Sequence, residues 1–186
     1  MDRDPRQILT EWLVLAAQAG DEAAFRDLHG LWQADLRRLA QVRVENPTAA
    51  DEVSTDAWLA IARGLSRLGD PACFPRWAFR IVERRSVDWI RQRSLARRRE
   101  AVAVSAADDL SPAAPAVTEP PDDVLLLRAA IARLPADQRE LLHLHYELGR
   151  SVLEIAEILA IPPGTVKSRL FSVRETLKQQ LNQKPS

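Results

Sequence analysis

Residues 101–121, Ala-Val-Ala-Val-Ser-Ala-Ala-Asp-Asp-Leu-Ser-Pro-Ala-Ala-Pro-Ala-Val-Thr-Glu-Pro-Pro, carry no aromatic side chain and no periodic apolar face, so no single hydrophobic core can run through the middle of this chain. A stretch of Ala, Pro and acids reads as a flexible linker. It leaves a unit of about 100 residues before it and one of about 64 after it, each plausible as a small domain. The boundaries that follow are 1–99 for the first domain, 100–122 for an acidic Ala/Pro-rich linker and 123–186 for the second domain.

Outside the linker the apolar residues keep the helical period. Leu28, Leu31, Trp32, Leu36 and Leu39 make one stripe, and Val53, Ala57, Ile61, Leu65 and Leu68 another, with steps of three and four that place each set on one face. No segment sustains strand alternation, so the expected fold is all-α, two small helical domains joined by a flexible linker. Gly69-Asp70-Pro71 is expected to end the second of these helices, and Pro75 suits the first turn of the next, read over Pro75 to Arg93.

Four helices are expected in the C-terminal domain. Asp123 to Leu134 is the first; Pro135 opens the second and Gly149 closes it. Ser151-Val152-Leu153-Glu154 is a capping box that starts the third, with Ile155, Leu159 and Ile161 turned inward. Pro162-Pro163 forbids continuation, because a residue before proline is pushed out of the helical region. The fourth helix then starts near Pro163 and buries Val166, Leu170, Val173, Leu177 and Leu181.

Charge narrows the function. The whole chain balances 26 basic against 26 acidic side chains, yet residues 76–99 hold nine arginines against Glu83 and Asp88, and residues 100–122 hold five acids and no base. Residues 162–186 carry Lys167, Arg169, Arg174, Lys178 and Lys184 against Glu175 alone. Two basic patches divided by an acidic stretch point to nucleic acid at two places. The longest apolar runs, such as Val124 to Leu127, fall far short of the roughly 20 residues that cross a bilayer, so no membrane insertion is expected. The polar opening Met1-Asp2-Arg3-Asp4-Pro5 shows no secretory signal, and the expected location is the cytoplasm. A lone cysteine, Cys73, supplies neither a disulfide nor a zinc cluster and reads as a small apolar filler beside Phe74. His143, His145 and Glu147 resemble a metal cluster, but residues two apart on a helix point about 200 degrees apart and do not converge. No cofactor or metal is expected.

A short capped helix, a tight turn and a second helix opening on Pro-Gly-Thr-Val make a helix-turn-helix of the kind that reads duplex DNA. With Val166, Leu170 and Val173 inward, Lys167, Ser168, Phe171 and Ser172 share an outer face, with Arg174 beside them. Lys167 and Arg174 suit phosphates or guanine edges, the two serines suit either, and Phe171 suits a thymine methyl. The arginine-rich helix interleaves its charges with Trp77, Phe79 and Trp89, a mixture that holds single strands by phosphate contacts and base stacking. At least one of the two tryptophans is expected to be mainly structural.

These stretches together resemble a bacterial RNA polymerase sigma factor of the compact extracytoplasmic-function (ECF, group IV) type, over about residues 10 to 182. Leu134-Pro135 through Ile155-Ala156-Glu157-Ile158-Leu159 to Ile161-Pro162-Pro163-Gly164-Thr165-Val166-Lys167-Ser168-Arg169-Leu170 is similar to the family's C-terminal domain. Phe74-Pro75-Arg76-Trp77-Ala78-Phe79-Arg80-Ile81 with Asp88-Trp89-Ile90-Arg91 is similar to its promoter-melting helix, and Ala50-Asp51-Glu52-Val53 through Ala57-Trp58-Leu59 to Leu65 to its polymerase-docking helix. The resemblance implies a specificity subunit with no catalytic site of its own. It also implies that Asp51, Glu52, Thr55, Asp56 and Arg63 meet the clamp helices of the largest polymerase subunit, and that the C-terminal domain meets the flap of the second-largest. Phe74, Trp77, Arg80, Arg84, Arg85, Asp88 and Arg91 would hold the opened non-template strand at the minus-ten element, beside a base pocket walled by the loop Gly69 to Phe74. Lys167, Ser168, Phe171, Ser172 and Arg174 would read the minus-thirty-five element in the duplex. Promoter DNA, core polymerase and an anti-sigma factor are the implied partners. The chain departs from the common pattern with Val53-Ser54-Thr55-Asp56, with Arg84-Arg85-Ser86, and with Ser172 where a basic residue is frequent. The rival readings are a stand-alone helix-turn-helix regulator, for which no heptad dimer seam is visible, and a nucleic-acid-processing enzyme, for which no metal cluster, nucleophile triad or phosphate loop is visible.

Overall fold

A computed structural model describes residues 4–101 and 122–182, with the side chains of 97–101, 122, 123 and 182 left outside the description. Its described residues form eight α-helices and no strand, as the helical periodicity predicts. Contacts divide the chain into two compact units, Met1–Val104 and Ser105–Ser186.

In the first unit α1 (Pro5–Gln18), α2 (Glu22–Val44), α3 (Pro47–Gly64) and α4 (Phe74–Ala101) pack together. Each start has a local cause. Asp4 accepts from Arg6 N, Asp21 from Ala23 N and Ala24 N, and Asn46 from Ala49 N, each filling backbone donors that a helix start leaves unpaired. Pro5 and Pro47 sit where their missing N–H costs nothing. The core combines Leu28, Trp32, Leu36 and Leu39 of α2, Val53, Ala57 and Ile61 of α3, and Phe74, Ala78, Phe79 and Val82 of α4. The Trp32 ring meets Phe74 and Phe79 edge-on at 6.2 and 5.9 Å between centroids. Its indole N–H, buried, donates to Thr10 Oγ1 at 3.0 Å.

Two expected boundaries move. α3 stops at Gly64 rather than near Gly69, and a 3-10 turn, Leu65–Arg67, follows. Gly64 marks a close approach: a Cβ there would lie 3.0 Å from Cζ2 of Trp77, so the absence of a side chain lets α4 pack in. Gln18 of α1 then donates its side-chain amide to the carbonyls of Leu65 and Leu68, both at 2.8 Å, taking acceptors that the ended helix leaves over. α4, expected to end at Arg93, runs on to Ala101, since nothing after Arg93 breaks a helix until the linker composition begins. Glu100 and Ala101 therefore belong to α4 and Asp122 to the next helix, while the rest of the expected linker lies outside the described residues.

The second unit holds α5 (Asp122–Ala132), α6 (Ala136–Leu142), α7 (Val152–Leu159) and α8 (Pro163–Asn182). Pro135 is the residue capping α6 rather than its first helical position. α6 passes into a wider π turn, His143–Glu147, which Gly149 ends at φ +61°. Arg139 donates to the carbonyls of Ala132 and Leu134, at 3.1 and 2.7 Å, and so closes the end of α5. Leu134, Leu142 and Val173 form a core with Ile131 and Leu177 against it. Leu141, Leu144, Ile155, Ile158, Val166 and Leu170 are also buried. Ile158, not Leu159, is the second fully inward isoleucine or leucine of α7, and Leu181 lies largely outside the core.

Candidate nucleic-acid and polymerase interfaces

The α7–α8 pair is built by side chains acting on their nearest neighbours. Ser151 Oγ accepts from Glu154 N at 3.2 Å while Glu154 accepts from Ser151 N at 2.8 Å, so the capping box is closed on both sides. Burial raises the Glu154 pKa, but the Ser151 bonds and the Arg150 guanidinium at 3.2 Å outweigh it and hold the carboxyl below its ordinary value. α7 ends with Ala160 in the left-handed region at φ 53°, and Ile161 N reaches back to Ala156 O at 3.1 Å, the bond that folds a chain sharply off a helix end. Pro163 then opens α8. Val166, Leu170 and Val173 are buried, which leaves Lys167, Ser168, Phe171, Ser172 and Arg174 all exposed, Phe171 by 66%. Lys167, Phe171 and Arg174 follow one stripe at steps of four and three, and the two serines stand on the outermost edge.

α4 sorts its residues into two faces. Phe74, Ala78, Phe79, Val82 and Ser86 are buried, with Ser86 Oγ donating to Val82 O at 2.9 Å. On the opposite side Trp77, Arg80, Arg84, Asp88 and Arg91 align at steps of three and four; the three arginines are exposed and Trp77 and Asp88 half-buried. Arg85, also exposed, flanks this stripe. Phe74, expected among the strand-holding residues, is fully buried, its ring edge-on to Trp32 of α2, and so stands apart from the exposed stripe. Trp77 packs on Gly64 and tilts against Phe74 at 6.1 Å, and it remains half-buried on the stripe with Arg80 and Arg84.

The loop before α4 carries a second correction. Cys73 is not an apolar filler. Its thiol donates to Asp70 Oδ2 at 3.0 Å and accepts from Arg76 Nη2 at 2.8 Å. Asp70 caps the turn Pro71–Cys73 through Ala72 N, and that places its carboxylate beside the sulfur. The hydrogen bond to Asp70 pushes the thiol pKa up and, first among its causes, brings the Asp70 carboxyl down. A thiol held in its protonated form is a poor nucleophile.

On α3 the expected docking residues Asp51, Glu52, Thr55, Asp56 and Arg63 share one exposed face. Arg37 of α2 forks onto Asp51, Nε to Oδ1 at 2.5 Å and Nη2 to Oδ2 at 3.3 Å, and this hydrogen bonding lowers the Asp51 pKa. Thr55 Oγ1 donates to Asp51 O at 2.8 Å. At the centre of the face stands Leu59, 50% exposed, beside a cleft of about 220 Å³ lined by Phe25, His29, Gln33, Thr55, Trp58 and Ala62. Sequence reading passed over Leu59, though its phase off the Val53–Ala57–Ile61 stripe is the signal that exposes it.

Family models of sigma-70 region 2 and sigma-70 region 4 match residues 28–98 and 125–177. The ECF RNA polymerase sigma factor SigM of Mycobacterium tuberculosis is 30% identical over 169 residues, covering 91% of this chain and 83% of that protein. The chain belongs to the ECF sigma factors. A probable RNA polymerase sigma factor of Xanthomonas campestris, RfaY, is 28% identical over 90% of this chain, which spans 43% of that longer relative. The solved structure of the sigma factor RpoE with the anti-sigma factor NepR from Bartonella quintana shares the fold, with a TM-score of 0.66 and 22% identity over 87% of this chain and 98% of that one.

Sigma factors are specificity subunits of RNA polymerase that direct transcription initiation. In this sigma factor the region 4 match contains α7 and α8 as far as Leu177, and the region 2 match contains the exposed faces of both α3 and α4 as far as Arg91. His143 and His145, read as a false metal cluster, part company here: His143, buried, stands 3.2 Å from Glu147 Oε2, while His145 Nδ1 faces Arg150 O at 3.1 Å. Among the described residues no group of three or more His, Cys, Asp or Glu is placed to hold a metal, and no helix is long and apolar enough to cross a membrane.

Proposed function

We propose that this sigma factor docks on the clamp helices of the largest subunit of core RNA polymerase through Asp51, Glu52, Thr55, Asp56 and Arg63. It holds the opened non-template strand at the minus-ten element with Trp77, Arg80, Arg84, Arg85, Asp88 and Arg91, and reads the minus-thirty-five element with Lys167, Ser168, Phe171, Ser172 and Arg174. The C-terminal unit also meets the flap of the second-largest subunit. The protein works in the cytoplasm, catalyses no reaction itself, and is restrained by an anti-sigma factor, the class of partner bound to the solved relative RpoE.

The observation that carries this reading is the outer face of α8. Phe171 is presented to solvent between Lys167 and Arg174, with hydroxyls on the adjoining edge. Cation, hydroxyl and apolar group at that spacing match phosphate, base edge and thymine methyl in a major groove about 12 Å wide.

The test adds the protein to core polymerase and a library of randomised promoters. Transcripts that depend on the protein, starting downstream of two recurrent elements, are the expected result; tight duplex binding with no effect on core polymerase would favour the stand-alone regulator. Within that assay Lys167→Ala weakens upstream-element binding, and removing one phosphate contact lowers the log–log salt slope by about 0.9. Arg84→Ala instead impairs open-complex formation more than closed-complex binding. Equal losses at both steps for both variants would defeat the division of labour.

A further inference from the structure

Tyr146 lies in the π turn after α6, 28 residues before Arg174, and no sequence pattern joins them. The fold does. Arg174 Nε donates to the Tyr146 hydroxyl oxygen at 2.6 Å, and the guanidinium carbon stands 5.7 Å from the ring centroid. The π turn makes this contact: its wider winding keeps His143 and Leu144 in the core and swings Tyr146 out to α8, where it is 57% exposed.

A hydrogen bond so open to water adds little to folding, so the purpose of the pair lies elsewhere. The donors left over indicate what it is. Arg174, exposed, spends Nε on Tyr146 and its side chain makes no other hydrogen bond or ion pair among the described residues, while the phenol oxygen accepts and leaves its own proton to donate. Guanidinium donors and a phenol proton side by side on an exposed surface, held by a planar group and a rigid ring, suit an acceptor-only anionic oxygen such as phosphate.

Position selects which phosphate. Arg174 shares its stripe with Lys167 and Phe171 and follows Lys167 by seven residues, about 10.5 Å along the helix axis. With Lys167 over base edges in a groove about 12 Å wide, that displacement brings Arg174 to the groove wall, where the phosphates run. We propose that Tyr146 and Arg174 together form a phosphate clamp, in which Tyr146 fixes the guanidinium plane and donates its proton to the backbone, setting the register of α8 on the upstream element. The clamp rests on the reading of α8 as the duplex-reading helix.

The experiment uses the full-length protein with core polymerase and a duplex carrying the upstream element recovered from the promoter library, with affinity measured across a salt series. Tyr146→Phe is expected to weaken binding about fivefold at every salt concentration with the slope unchanged, since the phenol is neutral, while its thermal unfolding matches that of the parent. Arg174→Ala is expected to lower the slope by about 0.9. The double variant should bind within about twofold of Arg174→Ala, because the two act as one unit. Unchanged affinity in Tyr146→Phe, a loss that multiplies independently with that of Arg174→Ala, or a loss explained by a lower unfolding temperature would each overturn the clamp. Lys167→Ala separates the two levels of the argument: if it too binds as the parent does, the reading of α8 has failed and not the clamp alone.

Discussion

Trp89 donates its indole N–H to Glu52 Oε2 at 3.1 Å, so a residue of α4 and a residue of the exposed α3 face share a hydrogen bond across 37 positions. Trp89 is half-buried, and the Arg93 guanidinium stands 5.4 Å from its ring centroid. On the docking proposed above, a polymerase group that drew Glu52 toward itself would compete with Trp89 and would tie docking to the posture of the helix proposed to hold the opened strand.

Glu52→Gln retains an acceptor for that bond and Glu52→Ala does not. At saturating core polymerase, Glu52→Ala and Trp89→Phe are expected to lower open-complex yield by about fivefold, with Glu52→Gln within about twofold of the parent, by permanganate reactivity of the melted promoter. Equal yields for all of them would show that the bond has no part in opening.

Phe74 and Arg80 test the two faces of α4. Phe74→Ala removes a fully buried ring and is expected to cost about 3–5 kcal/mol in urea unfolding of the first unit. Arg80→Ala should change stability by no more than about 0.5 kcal/mol while lowering the salt slope for single-stranded DNA by about 0.7. A stable Phe74→Ala protein that had lost only strand binding would restore Phe74 to the DNA-holding set.

What is legible in this sequence is what residues do to their immediate neighbours. Ser151 and Glu154 cap each other within four positions, Pro163 starts a helix at its own place, and Val166, Leu170 and Val173 declare their face by spacing alone. The helical fold and the outer face of α8 follow from such terms. Phe74 is different. Beside a proline and a run of arginines it reads as a base contact, yet the fold buries it fully and sets Trp32 of another helix edge-on to its ring. Cys73 likewise takes its character from Asp70 and Arg76 once the turn has closed. Tyr146 carries no local signal at all, because its direction depends on a π turn and its partner lies on another helix.

Ala160 occupies a left-handed conformation that costs an L-residue with a Cβ about 1 kcal/mol. Ala160→Gly relieves that strain but gives the unfolded chain more freedom, so a net gain of about 0.5 kcal/mol is expected, seen as a rise of about 3 °C in the unfolding temperature of the second unit. Gly149→Ala, at φ +61°, should shift it the other way. A lower unfolding temperature for Ala160→Gly would show that the turn stores no strain.

Glu154 makes the second unit sensitive to acid. Its carboxyl is held below the ordinary value in the folded protein, so the stability it contributes is complete above the unfolded pKa of about 4.3 and is lost as pH falls through the lower folded value. Urea unfolding followed from pH 7 to pH 3 should therefore show stability declining below about pH 5, with a shallower decline in Glu154→Gln. Identical profiles would remove the capping box from the acid response.

The two carbonyls that Gln18 holds, Leu65 O and Leu68 O, have a meaning for recognition as well as for folding. They moor the upstream end of the Gly69–Phe74 loop to α1, and the buried Phe74 ring moors the downstream end. A loop secured at both ends has surrendered most of its conformational entropy before any nucleotide arrives. If this loop walls a base pocket, the ordering cost that a loose loop would subtract from affinity is met on folding, and an entering base would meet a wall already standing.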